Sequence, residues 1–155
     1  MDYAELHCLT NFTFLRGASH AQELVDTAVR LGYKALAITD ECSLAGVVRA
    51  HAAAKEHKEH FKLIIGSEFR LDDGLRLVLL ATNRSGYANL CELITRGRRN
   101  AAKGEYRLGR GNLETGVEHC LALWLPADRP QIEEASWLAR RFPADTRRFS
   151  TWKPH

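Results

Sequence analysis

Apolar residues recur along this chain in short, strand-length runs separated by stretches of helical spacing, and the first three runs each stop at a residue that carries chemistry. In ALAITDECSLAG, residues 35–46, the run halts at Thr39, Asp40 and Glu41. A bounded apolar run of this kind predicts a strand buried on both faces, as parallel strands are. Tyr3 to Cys8 is a similar run with His7 near its end, and Leu63-Ile64-Ile65-Gly66 leads straight into Ser67 and Glu68. Between the runs the spacing turns helical. Ser19 is expected to open a first helix, with Gln22 as its capping-box partner, Leu24, Ala28 and Leu31 on one face and Gly32 closing it. A second helix starts near Ser43 and carries Leu44, Val47, Val48, Ala52 and Ala53 before a polar tail. After the turn signature Asp72-Asp73-Gly74, Leu75 to Ala81 reads as a fourth strand able to form a hairpin with Glu68 to Leu71. A third helix is expected from about Ser85 to Arg98, a glycine-rich basic loop from Lys103 to Gly116, a last strand from Cys120 to Leu125 and a last helix from Gln131 to Arg141.

This alternation predicts an α/β fold of βα units with largely parallel strands, either an open sheet or part of a barrel. A closed barrel of such units normally needs about 200 residues or more. Five strands in 155 residues therefore read as an incomplete barrel, one partial domain over residues 1–146. Residues 147–155 have no period and read as an irregular tail, a truncation or frameshift end.

Charge and cysteine content change the picture only a little. A net charge of +3 does not by itself argue for nucleic acid, but the basic residues crowd one segment. Arg98, Arg99, Lys103, Arg107 and Arg110 are the candidates for any polyanion contact, against the plainer reading of a solvated helix end and loop. The four cysteines are far apart with no CxxC pair, which points to a reducing cytoplasm. No apolar run is long enough to span a bilayer, so no membrane contact is expected. GxSxG, GxGxxG and P-loop motifs are absent, which argues against a serine hydrolase, a dinucleotide site or a P-loop.

The three strand ends offer His7, Asp40 and Glu68, one nitrogen and two oxygen donors suited to hard or borderline metals. In sheets wound with helices, ligands gather at the carboxyl ends of the strands.

The ordered motifs ELHCLTNFTFLRGAS, LGYKALAITDECSLAGVVRA, LIIGSEFRL and GYANLCELIT closely resemble the N-terminal polymerase-and-histidinol-phosphatase (PHP) domain of the bacterial C-family DNA polymerases, of the polymerase III alpha-subunit type. TDECSLAG, and LHCL in place of the usual LHxH, look most like the error-prone branch. The resemblance covers about residues 1–126. It implies a PHP-type distorted (β/α) barrel, here only its first part. It also implies a parent DNA-directed DNA polymerase, a nucleotidyltransferase using magnesium, active in DNA replication, damage-induced SOS mutagenesis and translesion repair. DNA would be met through that parent, with proteins of the mutagenesis machinery as further partners.

Matched residue by residue, the resemblance implies a vestigial metal site. His7 stands at the first histidine of the His-x-His motif, but Leu9 stands at the second. Arg16 precedes Gly17 where many relatives have an acid, Asp40 is followed by Glu41 rather than histidine, and Glu68 matches the acid that bridges metals. Phosphoesterase relatives clamp substrate between two or three ions, more than three donors can hold. Zinc or manganese is therefore not expected, nor any catalytic residue or cofactor within this domain. Arg16 is expected to replace the ion as a metal-replacing cation between Asp40 and Glu68; the plain reading is a solvent-facing arginine in a mobile loop, with Glu41 as a partner in place of Asp40 or Glu68 as the other alternative. The leading expectation is a structural, non-catalytic PHP domain of an error-prone DNA polymerase; the alternative is a free-standing PHP-family metal-dependent phosphoesterase.

Overall fold

The computed structural model describes residues 2–143, so the expected tail over 147–155 lies outside the described residues. The elements in order are β1 (Ala4–Cys8), α1 (Ala21–Arg30), β2 (Ala35–Ile38), α2 (Val47–Lys55), β3 (Lys62–Arg70), β4 (Arg76–Ala81), α3 (Arg84–Arg99), a 3-10 turn (Arg110–Leu113), β5 (Cys120–Trp124) and α4 (Ile132–Arg141). They build one curled five-stranded sheet in the order β1-β2-β3-β4-β5, and among the described residues β1 and β5 are its two edges. This is the predicted α/β architecture with the strands parallel in its first part. No helix among the described residues is long and apolar enough to cross a membrane.

The long strand β3 joins the two halves. Its first four residues pair parallel with β2, Ala35 opposite Lys62 through Ile38 opposite Ile65. From Gly66 onward it pairs antiparallel with β4, which in turn pairs antiparallel with β5. Gly66 is required at the changeover, because a Cβ there would lie 2.6 Å from the Leu79 carbonyl oxygen and 2.7 Å from the Leu80 side chain. Glu68 therefore lies inside a strand, not just past the end of one. It is still level with the end of β2, since Glu41 and Glu68 form an isolated parallel bridge.

Two apolar layers cover the outer face of the sheet. Helices α1 and α2 pack Ala21, Val25, Ala28, Ala50 and Ala54 against Leu36 and Ile38. Beyond β3, Leu90 and Leu93 of α3 and Leu138 of α4 pack with Phe69, Leu77 and Leu79, each full burial of such a side chain contributing about 1.5–3 kcal/mol. Leu108 and Leu113 of the basic loop join this core, fully buried, so the stretch read as an open loop is pinned from inside. The opposite face carries Ala37, Val78 and Leu80, with Leu121 and Leu123 only partly covered. An apolar trough of about 1660 Å³ opens beside them.

Two helix starts fall later than the spacing predicts. The first N-cap is His20, whose amide donates to Glu23 at 2.8 Å, because the Ser19 carbonyl is already taken by the Asn11 amide. Gln22 is thus not the capping partner. At the other end, Gly32 adopts φ +76° and the chain closes with Tyr33 N–H donating to the Ala28 carbonyl, as its glycine predicts. Helix α2 starts at Val47 rather than near Ser43, because Ser43 N–H donates sideways to the Ser67 hydroxyl at 3.2 Å instead of opening a helical turn.

Candidate functional site

The loop after β1, the turn after β2 and the middle of β3 meet at one end of the sheet. Glu68 is the centre of this meeting, a carboxylate only 1% exposed. Arg16 grips it with both terminal nitrogens, Nη1 donating to Oε1 at 2.9 Å and Nη2 to Oε2 at 3.0 Å. Arg16 Nη1 also donates to Glu41 Oε2 at 2.6 Å. His7 Nε2 meets Glu68 Oε2 at 2.7 Å, and Arg76 Nη2 donates to Oε1 at 3.2 Å. Burial alone would push the Glu68 carboxyl up. The hydrogen bonds from His7 and Arg16 and the charge of Arg16 outweigh it and bring the pKa down to about 2. In return, the bond to Glu68 raises Arg16 above the usual guanidinium value.

The cluster continues to Tyr106, whose hydroxyl donates to Glu41 Oε1 at 2.8 Å and accepts from the Arg70 amide at 2.8 Å. Burial pushes this hydroxyl well above its ordinary range, so it remains a neutral donor. Arg98 lies over the Tyr106 ring, 5.5 Å from its centre, and donates to the Cys42 carbonyl at 3.0 Å.

Asp40 takes no part in the arginine clamp, which corrects the expectation that Arg16 lies between Asp40 and Glu68. The fully buried Asp40 turns toward the loop: Oδ1 accepts from the Thr10 amide at 2.8 Å and the Thr13 hydroxyl at 2.6 Å, and Oδ2 from the Thr10 hydroxyl at 2.8 Å. Arg16 bridges Glu68 and Glu41 instead. Of the three candidate metal donors, the structure brings together His7 and Glu68 and leaves Asp40 facing away.

This donor chemistry does not fit a metal ion. Both oxygens of Glu68 already accept from positively charged or ring N–H groups, and both oxygens of Asp40 accept from threonines. Among the described residues no group of three His, Cys, Asp or Glu side chains converges as a metal site would. The nearby thiols offer no thiolate, since burial raises both Cys8 and Cys42 to about 11.

The basic segment divides in a way the sequence does not announce. Arg98 faces inward onto carbonyl oxygens. Arg110 is held by Asp73 at 2.6 Å and by both oxygens of Glu133, and lies 5.1 Å from the Trp137 ring centre. Of the five polyanion candidates, only Arg99, Lys103 and Arg107 stay exposed. Arg99 and Arg107 line a small polar pocket of about 570 Å³ together with Asp72 and Glu105, so its charge is mixed.

Sequence reading missed Thr10, Thr13, Arg76 and Tyr106. The one available signal was the pair of hydroxyls three residues apart in LTNFTFLRG, where a buried aspartate needs donors. Nothing in the sequence marks Tyr106, which reaches Glu41 across sixty-five positions.

The PHP domain family model matches residues 5–136. Among curated proteins, the error-prone DNA polymerase of Methylococcus capsulatus is 66% identical over 143 residues, which are 92% of this chain and 14% of that protein. The error-prone DNA polymerase of Pseudomonas aeruginosa is 62% identical over 141 residues, 91% of this chain and 13% of that protein. The chain thus spans about 14% of the length of the curated relatives it matches. Among solved structures, a Bifidobacterium adolescentis protein assigned as a metal-dependent phosphoesterase superposes with a TM-score of 0.52 at 24% identity, over 63% of this chain and 34% of its own. At that identity the likeness shows the fold alone.

Proposed function

The chain belongs to the PHP domain family, and from that premise we propose that it serves an error-prone DNA polymerase as a non-catalytic, structural PHP domain. The parent would be a DNA-directed DNA polymerase acting in DNA replication, damage-induced mutagenesis and translesion repair, with DNA bound and magnesium used elsewhere in that protein. The identity to error-prone DNA polymerases over nine-tenths of this chain supports the parent.

The observation that carries the non-catalytic reading is the bidentate Arg16–Glu68 pair. A divalent ion on Glu68 would have to displace a guanidinium that makes two charge-assisted bonds to a buried carboxylate and is also held by Glu41. The same clamp ties the β1–α1 loop to β3 and to the β2–α2 turn, which is the work a bridging ion would otherwise do. A PHP-type phosphoesterase would instead need the acids open to metal and water.

A metal titration tests this reading. A ligand that binds only the native state raises its stability with the logarithm of its concentration over Kd, about 2.7 kcal/mol at a hundred times Kd. Manganese or zinc at about a hundred times the Kd of a micromolar site is expected to leave the melting temperature within about 1 °C, well under the 4 °C or more that such a gain would bring. No hydrolysis of a model phosphate monoester is expected beyond the buffer rate. A stoichiometric metal-dependent rise of several degrees, or turnover that follows it, would defeat the proposal.

A further inference from the structure

We propose that the loop from Thr10 to Ser19 is a docking knob whose Phe12, Phe14 and Leu15 seat in an uncharged apolar socket on the polypeptide that the polymerase relatives carry outside this domain. The inference rests on the polymerase reading above, and it gives the retained acids a task.

Phe12, Phe14 and Leu15 are 44%, 83% and 89% exposed, three large apolar side chains within four positions. Single exposed apolar residues need no explanation, but a cluster on one loop tip marks a contact surface. The loop is also held firmly. Asn11 N–H donates to the Ser19 carbonyl at 2.9 Å, closing its base, and the Thr13 carbonyl accepts from the amides of Arg16 and Gly17. From behind, Asp40 holds Thr10 and Thr13, and Glu41 and Glu68 hold Arg16. Gly17 lets the two sides of the loop touch, since a Cβ there would lie 2.0 Å from the Thr10 carbonyl oxygen. Leu15 sits at φ +63°, a left-handed conformation that branched residues avoid. A compact loop with tied ends, pinned by three buried or half-buried acids while its tip exposes two aromatic rings and a leucine, is preorganised for binding. Little ordering remains to oppose association.

Charge selects the kind of partner. The one cation at the knob, Arg16, is already matched by Glu41 and Glu68, so a phosphate backbone or an anionic lipid surface would meet no free positive group there. An apolar protein socket remains, with phenylalanine as its anchor. Most of each polymerase relative's length lies outside the matched region, and the proposed socket would lie in that remainder.

The test compares the 155-residue protein with a full-length chimaera in which this chain replaces the matched 143 residues of the Methylococcus capsulatus polymerase. Hydroxyl-radical oxidation of Phe14 and Leu15 is expected to fall about fivefold or more in the chimaera, the loss of access that an interface core imposes. Phe14→Asp should leave the melt of the 155-residue protein unchanged, yet make the domain melt apart from the rest of the chimaera. Equal oxidation in both proteins overturns the proposal, as does a chimaera carrying Phe14 whose domain already melts separately. Protection that deepens with concentration in the 155-residue protein also overturns it, in favour of a second copy. Primer extension by the chimaera separates the two readings. Extension with an exposed Phe14 sinks the knob alone, whereas a folded chimaera that cannot extend a primer counts against the polymerase assignment.

Discussion

Replacing Asp40 with alanine is expected to cost on the order of 4 kcal/mol, the largest loss of any single side chain at this site. Asp40 is fully buried and accepts three hydrogen bonds, one from a backbone amide and two from hydroxyls. Bonds to a charged acceptor contribute about 1.5–3 kcal/mol each, and removal of the acceptor leaves buried donors without water to replace it. Thr10 is itself fully buried and Thr13 nearly so, so neither can turn outward. The Thr10 hydroxyl also accepts from the Phe12 amide at 3.1 Å, which carries the damage into the exposed loop. Asp40→Asn is the informative control. Its amide oxygen can keep the Thr10 amide and the Thr13 hydroxyl, but its NH₂ must donate to the Thr10 hydroxyl, whose own proton then loses Oδ2, so about half of the stability should return, with a residual loss of about 2 kcal/mol for that proton and the missing charge. Urea denaturation of the three proteins measures both. An asparagine variant as damaged as the alanine variant would mean that the charge of Asp40, and not its hydrogen-bonding shape, holds the loop.

The strands and helices were legible because periodicity reports burial, and burial is decided locally wherever a segment has one apolar face. Among the described residues, all five strands and four helices lie where the pattern puts them, with the start of α2 displaced by four residues and the end of β3 by five. What stayed hidden depends on partners distant in sequence. The turn signature Asp72-Asp73-Gly74 did announce the hairpin of Glu68 to Leu71 with β4, but no pattern inside Leu63 to Glu68 shows that β3 runs unbroken through Gly66 into it. Leu108 and Leu113 stand in a segment dense in glycine and arginine, so local composition reads as solvent-facing although both side chains complete a core. At the site, the acids were conspicuous because carboxylates at the ends of apolar strands are costly without partners. Which donor serves which acid was not. Asp40 and Glu41 are neighbours in sequence but take different partners, one satisfied by threonines and the other by Arg16 and Tyr106. The basic segment shows the converse: five cations adjacent in sequence suggest one patch, but two are drawn inward by carbonyl oxygens, carboxylates and aromatic rings.

The pairing of Arg16 has a consequence that depends on pH. Arg16→Ala would remove two hydrogen bonds and the nearest full charge from Glu68, and breaking a buried pair from one side costs about 3–5 kcal/mol where the remaining charge has no other partner. Two facts reduce the figure here. Arg16 is 36% exposed, so water screens part of the attraction, and His7 and Arg76 stay on Glu68. A loss of about 2 kcal/mol at pH 7 follows, against less than about 0.5 kcal/mol for an arginine with no structural task. The sign with pH is fixed by the direction of the Glu68 shift. Its folded pKa, about 2, lies below the usual glutamate value, so its contribution is complete above about pH 4.3 and is lost as the pH falls toward 2. The parent should therefore lose stability across that acid window. The alanine variant, with Glu68 less depressed, should lose less there, so the two stability curves converge toward pH 2 and lie furthest apart near neutrality. Arg16→Lys should recover only part of the loss, because a single ammonium cannot span both oxygens of Glu68 and reach Glu41 as the guanidinium fork does. Chemical denaturation at several pH values between 2 and 7 measures the separation of the curves. A constant separation throughout would remove the Arg16–Glu68 pair as the cause, and equal stability at pH 7 would remove Arg16 from the framework altogether.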